Sequence, residues 1–399
     1  MKLRSFIFWP HLIAGVSAGV VILLMCVTGV LLTYERQLIA WADSGYRSER
    51  PTVDARPLPI DTVLERFRGS HPDLTPTTVT VRSDEGAAIT IAAGQRTLYV
   101  DRYSAAVVGE ASRGGVRKLM ADLRAWHRWL AVEGEGRPVA RAITGWSNSV
   151  FLFIVVSGIY LWFPRKWRWA QVRSVVLFNG AARGKARDFN WHNVIGSWSA
   201  LPLFIVVLSA MPISFGWFNA LVYRAVGETP PPAGNAAARP AAGSTPGGGD
   251  APHPARADAS APTARLDDLF TRAESQVAGW RTVSLRVPAP GAPAVFTIDR
   301  GDGGQPHLRS TLTLDSRTGD VTRHETFSDL TLGRRIRNTM RFAHTGEVLG
   351  IPGQTVAGIV SAGGAVLVWT GLALAWRRFR SWTGRRARRS DSSRVPSAA

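Results

Sequence analysis

Four long apolar segments alternate with polar stretches along this chain of 399 residues. The apolar segments cover Leu12–Tyr34, Trp146–Phe163, Val194–Phe215 and Val356–Trp376. Each is close to the ~20 residues that a helix needs to cross a hydrocarbon core. None contains Asp, Glu, Lys or Arg. We therefore predict four membrane-spanning helices. We expect the first to be a retained span and not a signal peptide, because no small-residue cleavage pattern follows it.

Lysine and arginine concentrate in two short stretches, residues 165–187 and the tail after Trp376. The positive-inside rule places both in the cytoplasm, and four spans then place both termini there. These clusters explain much of the net charge of +19 and favour the anionic headgroups of the lipid bilayer. We expect no binding of nucleic acid, because no nucleic-acid recognition fold accompanies the charge. Cys26 is the only cysteine, which excludes disulfides, thiolate-bound clusters and covalently attached haem.

The two long polar stretches lie outside under this topology, and they share one order of elements. The first predicts a helix at Ile60–Arg68 and strands at Thr77–Arg82, Ala88–Ala92 and Thr97–Asp101, followed by Val107–Glu110. The second predicts the same order, with a helix at Leu266–Val277, strands at Thr282–Val287, Ala294–Asp299 and Leu312–Asp315, and then a turn at Arg317–Gly319. The chain therefore reads as one unit written twice, with a small α+β module in each half.

A basic amphipathic stretch that contains a histidine follows each module. These stretches are Val116–Leu130, with His127, and Leu332–His344, and we expect both to lie along the outer membrane interface. The halves differ at Gly227–Arg265, which is rich in Pro, Ala and Gly and offers too little apolar surface to fold. We interpret this segment as a disordered linker.

Four histidines stand at matching positions in the two halves. His11 opens the first apolar segment and His192 opens the third, each four residues before a glycine. His127 and His344 lie shortly before the second and fourth segments. The topology places the first pair at the cytoplasmic ends of their helices and the second pair on the outer side. Neutral imidazoles that face each other across a helical bundle are what a buried haem iron needs, so we predict two bis-histidine sites.

Each of these histidines also has a plainer interpretation, since a polar residue at a membrane interface often only marks a helix end. A zinc or copper cage is disfavoured, because no two of the four are three or four residues apart and no span holds a carboxylate. We expect the remaining histidines to be solvent-exposed and not to be ligands. They are His71, His253, His307 and His324.

Small residues and tryptophans give weaker signals. Small residues line the first and fourth spans, where they either leave room for a flat porphyrin or allow close helix packing. They are Ala14, Gly15, Ala18 and Gly19, and Gly358, Ala362, Gly363 and Gly364. Most tryptophans lie near span ends, as interfacial anchors do. Trp126 and Trp129 flank His127 and are also positioned to pack on an outer haem.

Several short motifs occur in an order that resembles the PepSY-associated transmembrane family. They are the His-x-x-x-Gly opening of the first span and its close at Thr28–Glu35, then Trp126–Leu130, Ser157–Trp162 before a basic loop, Trp191-His192 and His344–Gly346. The resemblance covers nearly the whole chain except the linker and the basic tail. It implies a mainly α-helical protein of the bacterial inner membrane, with four transmembrane helices, two periplasmic PepSY-like α+β modules and an internal two-fold repeat.

The predicted organisation follows the chain in order. Residues 1–35 hold transmembrane helix 1, 36–115 the first module, 116–164 an interfacial helix and transmembrane helix 2, 165–190 a basic cytoplasmic loop, 191–216 transmembrane helix 3, 227–265 the linker, 266–331 the second module, 332–377 an interfacial helix and transmembrane helix 4, and 378–399 a basic cytoplasmic tail.

The resemblance further implies a haem-containing reductase that works with siderophore uptake. The leading hypothesis is a di-haem transmembrane reductase with two haem b groups. His11 and His192 would be the axial ligands of one, and His127 and His344 those of the other. The acceptor would be a periplasmic ferric siderophore or other ferric chelate. The chain has no G-x-G-x-x-G or Walker sequence, so the donor would be quinol or a separate cytoplasmic flavin reductase.

Two other functions stay open at this point. In the first, which is not enzymatic, the outer modules bind peptides or a partner protein and the spans only anchor them. In the second, the chain is a siderophore permease, which needs a polar pathway through the bundle. The spans offer only Ser, Thr, Asn and histidine for such a pathway, so this alternative ranks last.

Overall fold

The computed structural model describes residues 3–111, 114–163, 168–231, 264–289 and 291–392, with side chains as far as residue 385. The chain divides into two compact units. A helical unit is built from the chain up to Tyr34, from Met120–Phe218 and from Ala343 onward. A sheet unit is built from Glu35–Leu119 and Asn219–Phe342.

The described helices and strands are labelled in chain order. The helices are α1 (Leu3–Leu31), α2 (Glu35–Ala42), α3 (Ile60–Ser70), α4 (Gly115–Trp129), α5 (Arg137–Trp162), α6 (Trp169–Val176), α7 (Gly184–Ser209), α8 (Met211–Ser214), α9 (Gly216–Arg224), α10 (Leu266–Ser275), α11 (Leu332–His344) and α12 (Gly350–Ser392). The strands are β1 (Pro76–Arg82), β2 (Ile89–Ala93), β3 (Arg96–Val100), β4 (Val107–Glu110), β5 (Thr282–Arg286), β6 (Ala294–Asp299), β7 (Arg309–Leu314) and β8 (Val321–Glu325).

Four helical segments are long and apolar enough to cross a membrane: Leu3–Leu31, Gly134–Trp162, Gly184–Ser214 and Glu347–Arg385. Each coincides with most of one predicted span, so the chain is a multi-pass membrane protein. At most 39% of the most apolar window of any segment is buried. The rest of that apolar surface suits contact with lipid, because all backbone polar groups inside a helix are already satisfied.

Two of these helices begin earlier than the hydrophobic pattern indicated. Helix α1 starts at Leu3 and includes Pro10, and α7 starts at Gly184. His11 and His192 therefore lie about two turns inside their helices, so the prediction that they stand at helix ends was wrong. The hydrophobic pattern marks the part of a helix that suits lipid, whereas the hydrogen-bonded backbone continues into polar turns.

Other boundaries also differ from the prediction. The predicted basic loop at 165–190 contains α6 and the first turns of α7. Helix α12 continues to Ser392, through much of the predicted tail at 378–399. Most of the predicted linker at 227–265 lies outside the described residues.

The helical unit is a bundle in which α1 and α7 both pack against α5 and α12. Its buried core includes Ile22 and Cys26 of α1, Phe151 of α5 and Leu203 of α7. The basic stretches predicted to be amphipathic helices are α4 and α11. Their histidines reach the bundle, as described below.

The sheet unit contains one antiparallel sheet of eight strands in the order β4-β3-β2-β1-β5-β6-β7-β8. The sequence predicted two modules, and their strands instead join through the pairing of β1 with β5. Val79 lies opposite Leu285 at this junction, and both side chains are fully buried. The junction removes one open edge from each four-stranded half, and open edges carry unpaired backbone groups.

Helices α3 and α10 of the sheet unit cap each other at their N-termini. The Asp61 carboxylate of α3 accepts hydrogen bonds from the N–H groups of Leu266 and Asp267, both at 3.1 Å. The Asp267 carboxylate of α10 accepts one from the N–H of Ile60 at 3.2 Å. Such carboxylates satisfy orphan donors and oppose the helix dipole. Each helix therefore stabilises the start of the other.

One strand was missing from the prediction. The first four side chains of β8 are all exposed. No alternation of apolar and polar residues therefore marks it, and its place depends on pairing with β7. The predicted strand at Leu312–Asp315 is also longer than expected, since β7 begins at Arg309, whose guanidinium pairs with Asp299.

Candidate functional site: two pairs of histidines in the helical bundle

His127 of α4 and His344 of α11 form one pair. Their ring centroids lie 6.1 Å apart, with the ring planes inclined at 47°. Both side chains are partly buried. Burial, and next the charge of His344, lowers the pKa of His127 to about 4. Burial also lowers the pKa of His344. Both imidazoles are therefore neutral near pH 7, as a metal ligand must be.

His11 of α1 and His192 of α7 form the second pair, and they lie close enough for their charges to interact. This pair is at the other end of the bundle. Helix α1 supplies His11 to the second pair and contacts the first pair through Thr28, 17 residues later in the sequence. At a rise of about 1.5 Å per residue, these two positions are roughly 25 Å apart along the helix. The structure thus brings the four predicted histidines together as two separate pairs.

Three of the four imidazoles share one kind of partner. The Nδ1 atom of each lies at hydrogen-bond distance from a hydroxyl oxygen on a neighbouring helix. The contacts are His11 to Ser157 at 2.8 Å, His127 to Thr28 at 2.9 Å and His192 to Thr370 at 3.0 Å. In the fourth, His344 Nδ1 lies 2.9 Å from the backbone carbonyl oxygen of Val206.

These contacts favour one position for the ring proton. The hydroxyls of Ser157, Thr28 and Thr370 each lie 2.7 Å from the carbonyl oxygen four residues earlier in their own helix, to which they can donate. A hydroxyl that donates its one proton there accepts from the imidazole. The Val206 carbonyl can only accept, so His344 carries its proton on Nδ1. The hydroxyl contacts favour the same state in the other three histidines, which keeps the lone pair of Nε2 for a ligand.

Glycines make room for three of the rings. Gly158, Gly29 and Gly371 each follow the hydroxyl residue directly. A Cβ atom at these glycines would lie 3.4, 3.6 and 3.4 Å from Cε1 of His11, His127 and His192 respectively. These are ordinary contact distances, so a methyl group fits but a larger side chain would push the ring aside. The hydroxyl residue and the glycine together fix the position of the imidazole.

This arrangement of partners was not predicted. Thr28-Gly29 and Ser157-Gly158 lie within motifs that carried the family resemblance, but their hydroxyls were given no role. The signal that identifies them is a Thr-Gly or Ser-Gly dipeptide, which recurs as Thr370-Gly371 in the fourth span. The fourth partner, a backbone carbonyl, leaves no trace in the sequence.

The small residues of the spans serve mainly for close helix packing. A Cβ at Gly364 would lie 2.9 Å from Cys26 Sγ, and one at Gly358 would lie 2.8 Å from Thr33 Oγ1. A Cβ at Gly19 would approach Leu372 at 3.2 Å. A Cβ at Gly15, one turn after His11, would meet nothing within 4 Å. Packing therefore explains three of these glycines, and room for a porphyrin at Gly15 stays a prediction.

The other histidines take no part in these pairs. His307 and His324 are exposed, as predicted, and His253 lies outside the described residues. His71 differs from the prediction, since its ring is partly buried and stacks on Phe67 with centroids 5.1 Å apart. Nothing in the sequence indicates this stacking, because His71 follows the end of α3 and meets the helix by turning back.

Positive charge surrounds the first pair. Burial lowers the pKa of Arg128, and the neighbouring Arg141, Arg124 and Arg137 lower it further. Two of these guanidinium groups, of Arg128 and Arg137, lie 4.8 and 4.5 Å from the ring centre of Trp129. This ring therefore binds two arginines. The cluster gives the region beside His127 a positive potential that attracts anions.

The described residues contain no group of three or more His, Cys, Asp and Glu side chains able to hold a metal ion. Each pair offers two imidazoles and no more, which suits a metal whose remaining ligands come from a cofactor. In a comparison with known proteins, the family model described as the PepSY-associated TM region matches residues 8–378. A comparison with curated proteins gave no match.

Proposed function

This chain belongs to the PepSY-associated transmembrane family, and we propose that it is a di-haem electron-transfer protein that reduces a ferric chelate across a bacterial inner membrane. His11 and His192 would hold one haem b, and His127 and His344 the other. Held by two imidazoles, each haem would supply single-electron exchange in preference to oxygen binding.

The observation that carries this proposal is the hydrogen-bonding arrangement that the four imidazoles share. In every one, Nδ1 lies within 3.0 Å of an oxygen on another element, an arrangement that favours a proton on Nδ1 and a free lone pair on Nε2. A histidine that merely ends a helix needs no such partner. Hydrogen bonding at the far nitrogen orients metal-bound histidines and raises their basicity.

The spacing of the first pair supports the same conclusion. An ion held by two imidazoles at about 2.0 Å from each nitrogen separates the ring centres by roughly 6 Å. The centroids of His127 and His344 are 6.1 Å apart. The residues present therefore fit an iron between them.

The matching contacts of the two halves support an internal two-fold repeat. His11 and His192 each contact a hydroxyl-glycine dipeptide, Ser157-Gly158 and Thr370-Gly371. In the sheet unit, Asp61 and Asp267 play the same capping part, and Val79 and Leu285 occupy the same place in the junction. Each proposed site pairs one histidine from each half, so the two-fold axis would pass through both sites.

The orientation of this route follows from the charges. The positive-inside rule puts the His11–His192 pair near the cytoplasm, where quinol or a flavin reductase would supply electrons. The His127–His344 pair would then serve a ferric siderophore or similar chelate in the periplasm. The arginines beside His127 would attract an anionic chelate.

The test is reduction of an external ferric chelate by proteoliposomes that enclose dithionite, followed with an Fe(II)-specific indicator outside. We expect reduction by the wild-type protein and a loss of at least about tenfold for His11→Ala, His127→Ala, His192→Ala and His344→Ala. His324→Ala, at an exposed position of β8, is the control and should leave the rate unchanged. Equal rates in all variants would favour the rival function, a membrane-anchored module that binds peptides or a partner protein.

A further inference from the structure

A cleft opens beside His192 on the surface of the bundle, between the start of α7 and the middle of α12. It has a volume of about 350 Å³. Ligand sites generally measure roughly 300–1,000 Å³, so the cleft suits a small headgroup. Thr370, whose hydroxyl lies 3.0 Å from His192 Nδ1, lines it.

Two indole rings line the open part of this cleft. They belong to Trp191 of α7, 42% exposed, and Trp369 of α12, 67% exposed. Both residues lie in the candidate spans: Trp369 is within the apolar part of the fourth, and Trp191 is three residues before the apolar part of the third. Planar rings favour stacking on indoles. A ligand that reaches this cleft from the membrane would therefore be apolar and flat.

A charged group lines the same cleft. Asp188 is buried, with only 5% of its surface exposed. Its carboxylate accepts hydrogen bonds from Arg187 at 2.9 Å and from Arg377 at 2.8 Å. Arg187 itself lines the cleft and remains half exposed. A carboxylate can accept from a ligand hydroxyl, and a guanidinium can donate to a ligand carbonyl.

We propose that this cleft binds the ring of a membrane quinone, as quinone or hydroquinone. The two indoles would hold the ring, Asp188 would accept from a hydroxyl of the reduced form, and Arg187 would donate to a carbonyl of the oxidised form. This inference rests on the proposed function, for which it names the electron donor and its site. A hydroquinone gives up two electrons and two protons as it becomes a quinone. The electrons match two one-electron acceptors, and the protons leave to water beside Arg187.

The charge of the cleft distinguishes this ligand from a lipid phosphate. Asp188 neutralises one of the two guanidinium groups that bind it, which leaves one net positive charge. A phosphate site would gain from both arginines and would be weakened by a carboxylate between them. A quinone is uncharged, and its two redox forms need a hydrogen-bond donor for the carbonyls and a hydrogen-bond acceptor for the hydroxyls.

The experiment is photolabelling of the haem-loaded full chain in phosphatidylcholine nanodiscs with a short-chain azido-ubiquinone. We expect labelled peptides at residues 187–191 and 365–370, and competition by unlabelled ubiquinone-1 or by menadione distinguishes benzoquinone from naphthoquinone preference. Trp369→Leu should reduce labelling about fivefold, since an aliphatic side chain cannot stack. The matched control Trp376→Leu changes an exposed tryptophan of the same helix that does not line the cleft.

Three results would overturn the inference. They are labelling elsewhere on the chain, equal labelling of Trp369→Leu and wild type, and displacement of the label by anionic phospholipid but not by quinones. A haem count on the same samples separates this failure from failure of the proposed function. Two haems per chain without labelling at the cleft would leave the reductase intact and remove the quinone site. A chain without haem would reject the reductase itself.

Discussion

The hydroxyl of Thr28 on α1 lies 2.9 Å from Nδ1 of His127 on α4, and the same hydroxyl donates to the Leu24 carbonyl at 2.7 Å. A hydroxyl that donates its single proton to this carbonyl accepts from the imidazole, which favours an unprotonated Nε2. A residue 99 positions away in the sequence thus sets the chemical state of the proposed ligand.

Removing this hydroxyl should weaken the binding of the outer haem. Thr28→Val keeps the shape of the side chain but takes away the acceptor, and loss of such a partner typically costs about 10–100-fold in metal affinity. Thr28→Ser keeps the hydroxyl and is the matched control. Haem titration of the purified apoprotein measures the difference. Equal affinities of the two variants would mean that the tautomer argument is wrong.

Substitutions at Gly371 should test whether the haem proposed at His11 and His192 depends on the space beside the His192 ring. A Cβ here would lie 3.4 Å from Cε1 of His192, so Gly371→Ala should keep two haems per chain. Gly371→Leu places further atoms where the ring lies, and we expect the content to fall from about two haems to about one. The pyridine haemochrome assay gives the count. Full haem content in the leucine variant would show that the ring does not depend on this glycine.

The reciprocal caps of the sheet unit predict a loss of stability. Asp61→Ala removes the acceptor for two N–H groups at the start of α10 and should destabilise this unit by about 1 kcal/mol. Asp267→Ala should cost a similar amount, because Ile60 loses its partner. The exposed Asp54 supplies the control, Asp54→Ala. Thermal unfolding of the full chain in detergent tests this, and unfolding temperatures equal to that of the control would contradict it.

We expect Asp101 to contribute to the loss of folding stability at acid pH. Burial alone would raise the pKa of its carboxyl, but the N–H groups of Ser104, Tyr103 and Glu49 outweigh burial, and the pKa is lowered. A carboxyl whose pKa is lower in the folded state stabilises the fold above its unfolded value of about 3.9, and this stability is lost as the pH falls further. Asp101→Asn should therefore flatten the pH dependence of unfolding below about pH 4. An unchanged acid profile would show that other carboxylates dominate.

The hydrophobic pattern was sufficient for the four spans and for most strands, because burial and lipid contact act directly on residue type. It was not sufficient for the start of α7, where Lys185, Arg187 and Asp188 are helical although they are polar. Nor did it predict that β1 would pair with β5, since pairing between halves depends on geometry that neither strand encodes alone.

The four histidines were identified from their matching positions, whereas what holds them was not. A hydroxyl such as Thr370 looks like any other small polar residue in a span until the helix opposite is known. The Val206 carbonyl belongs to the backbone and can be assigned only from the fold. The hydrogen-bond partners of the four histidines depend on tertiary contacts, so only the structure identifies them.

The most direct test of the central claim is a pyridine haemochrome count on the wild-type protein purified from haem-replete cells, together with its oxidised and dithionite-reduced spectra. We predict about two b-type haems per chain with the sharp α-bands of low-spin iron, since the proposal assigns all four imidazoles as axial ligands. A folded, colourless protein would contradict it.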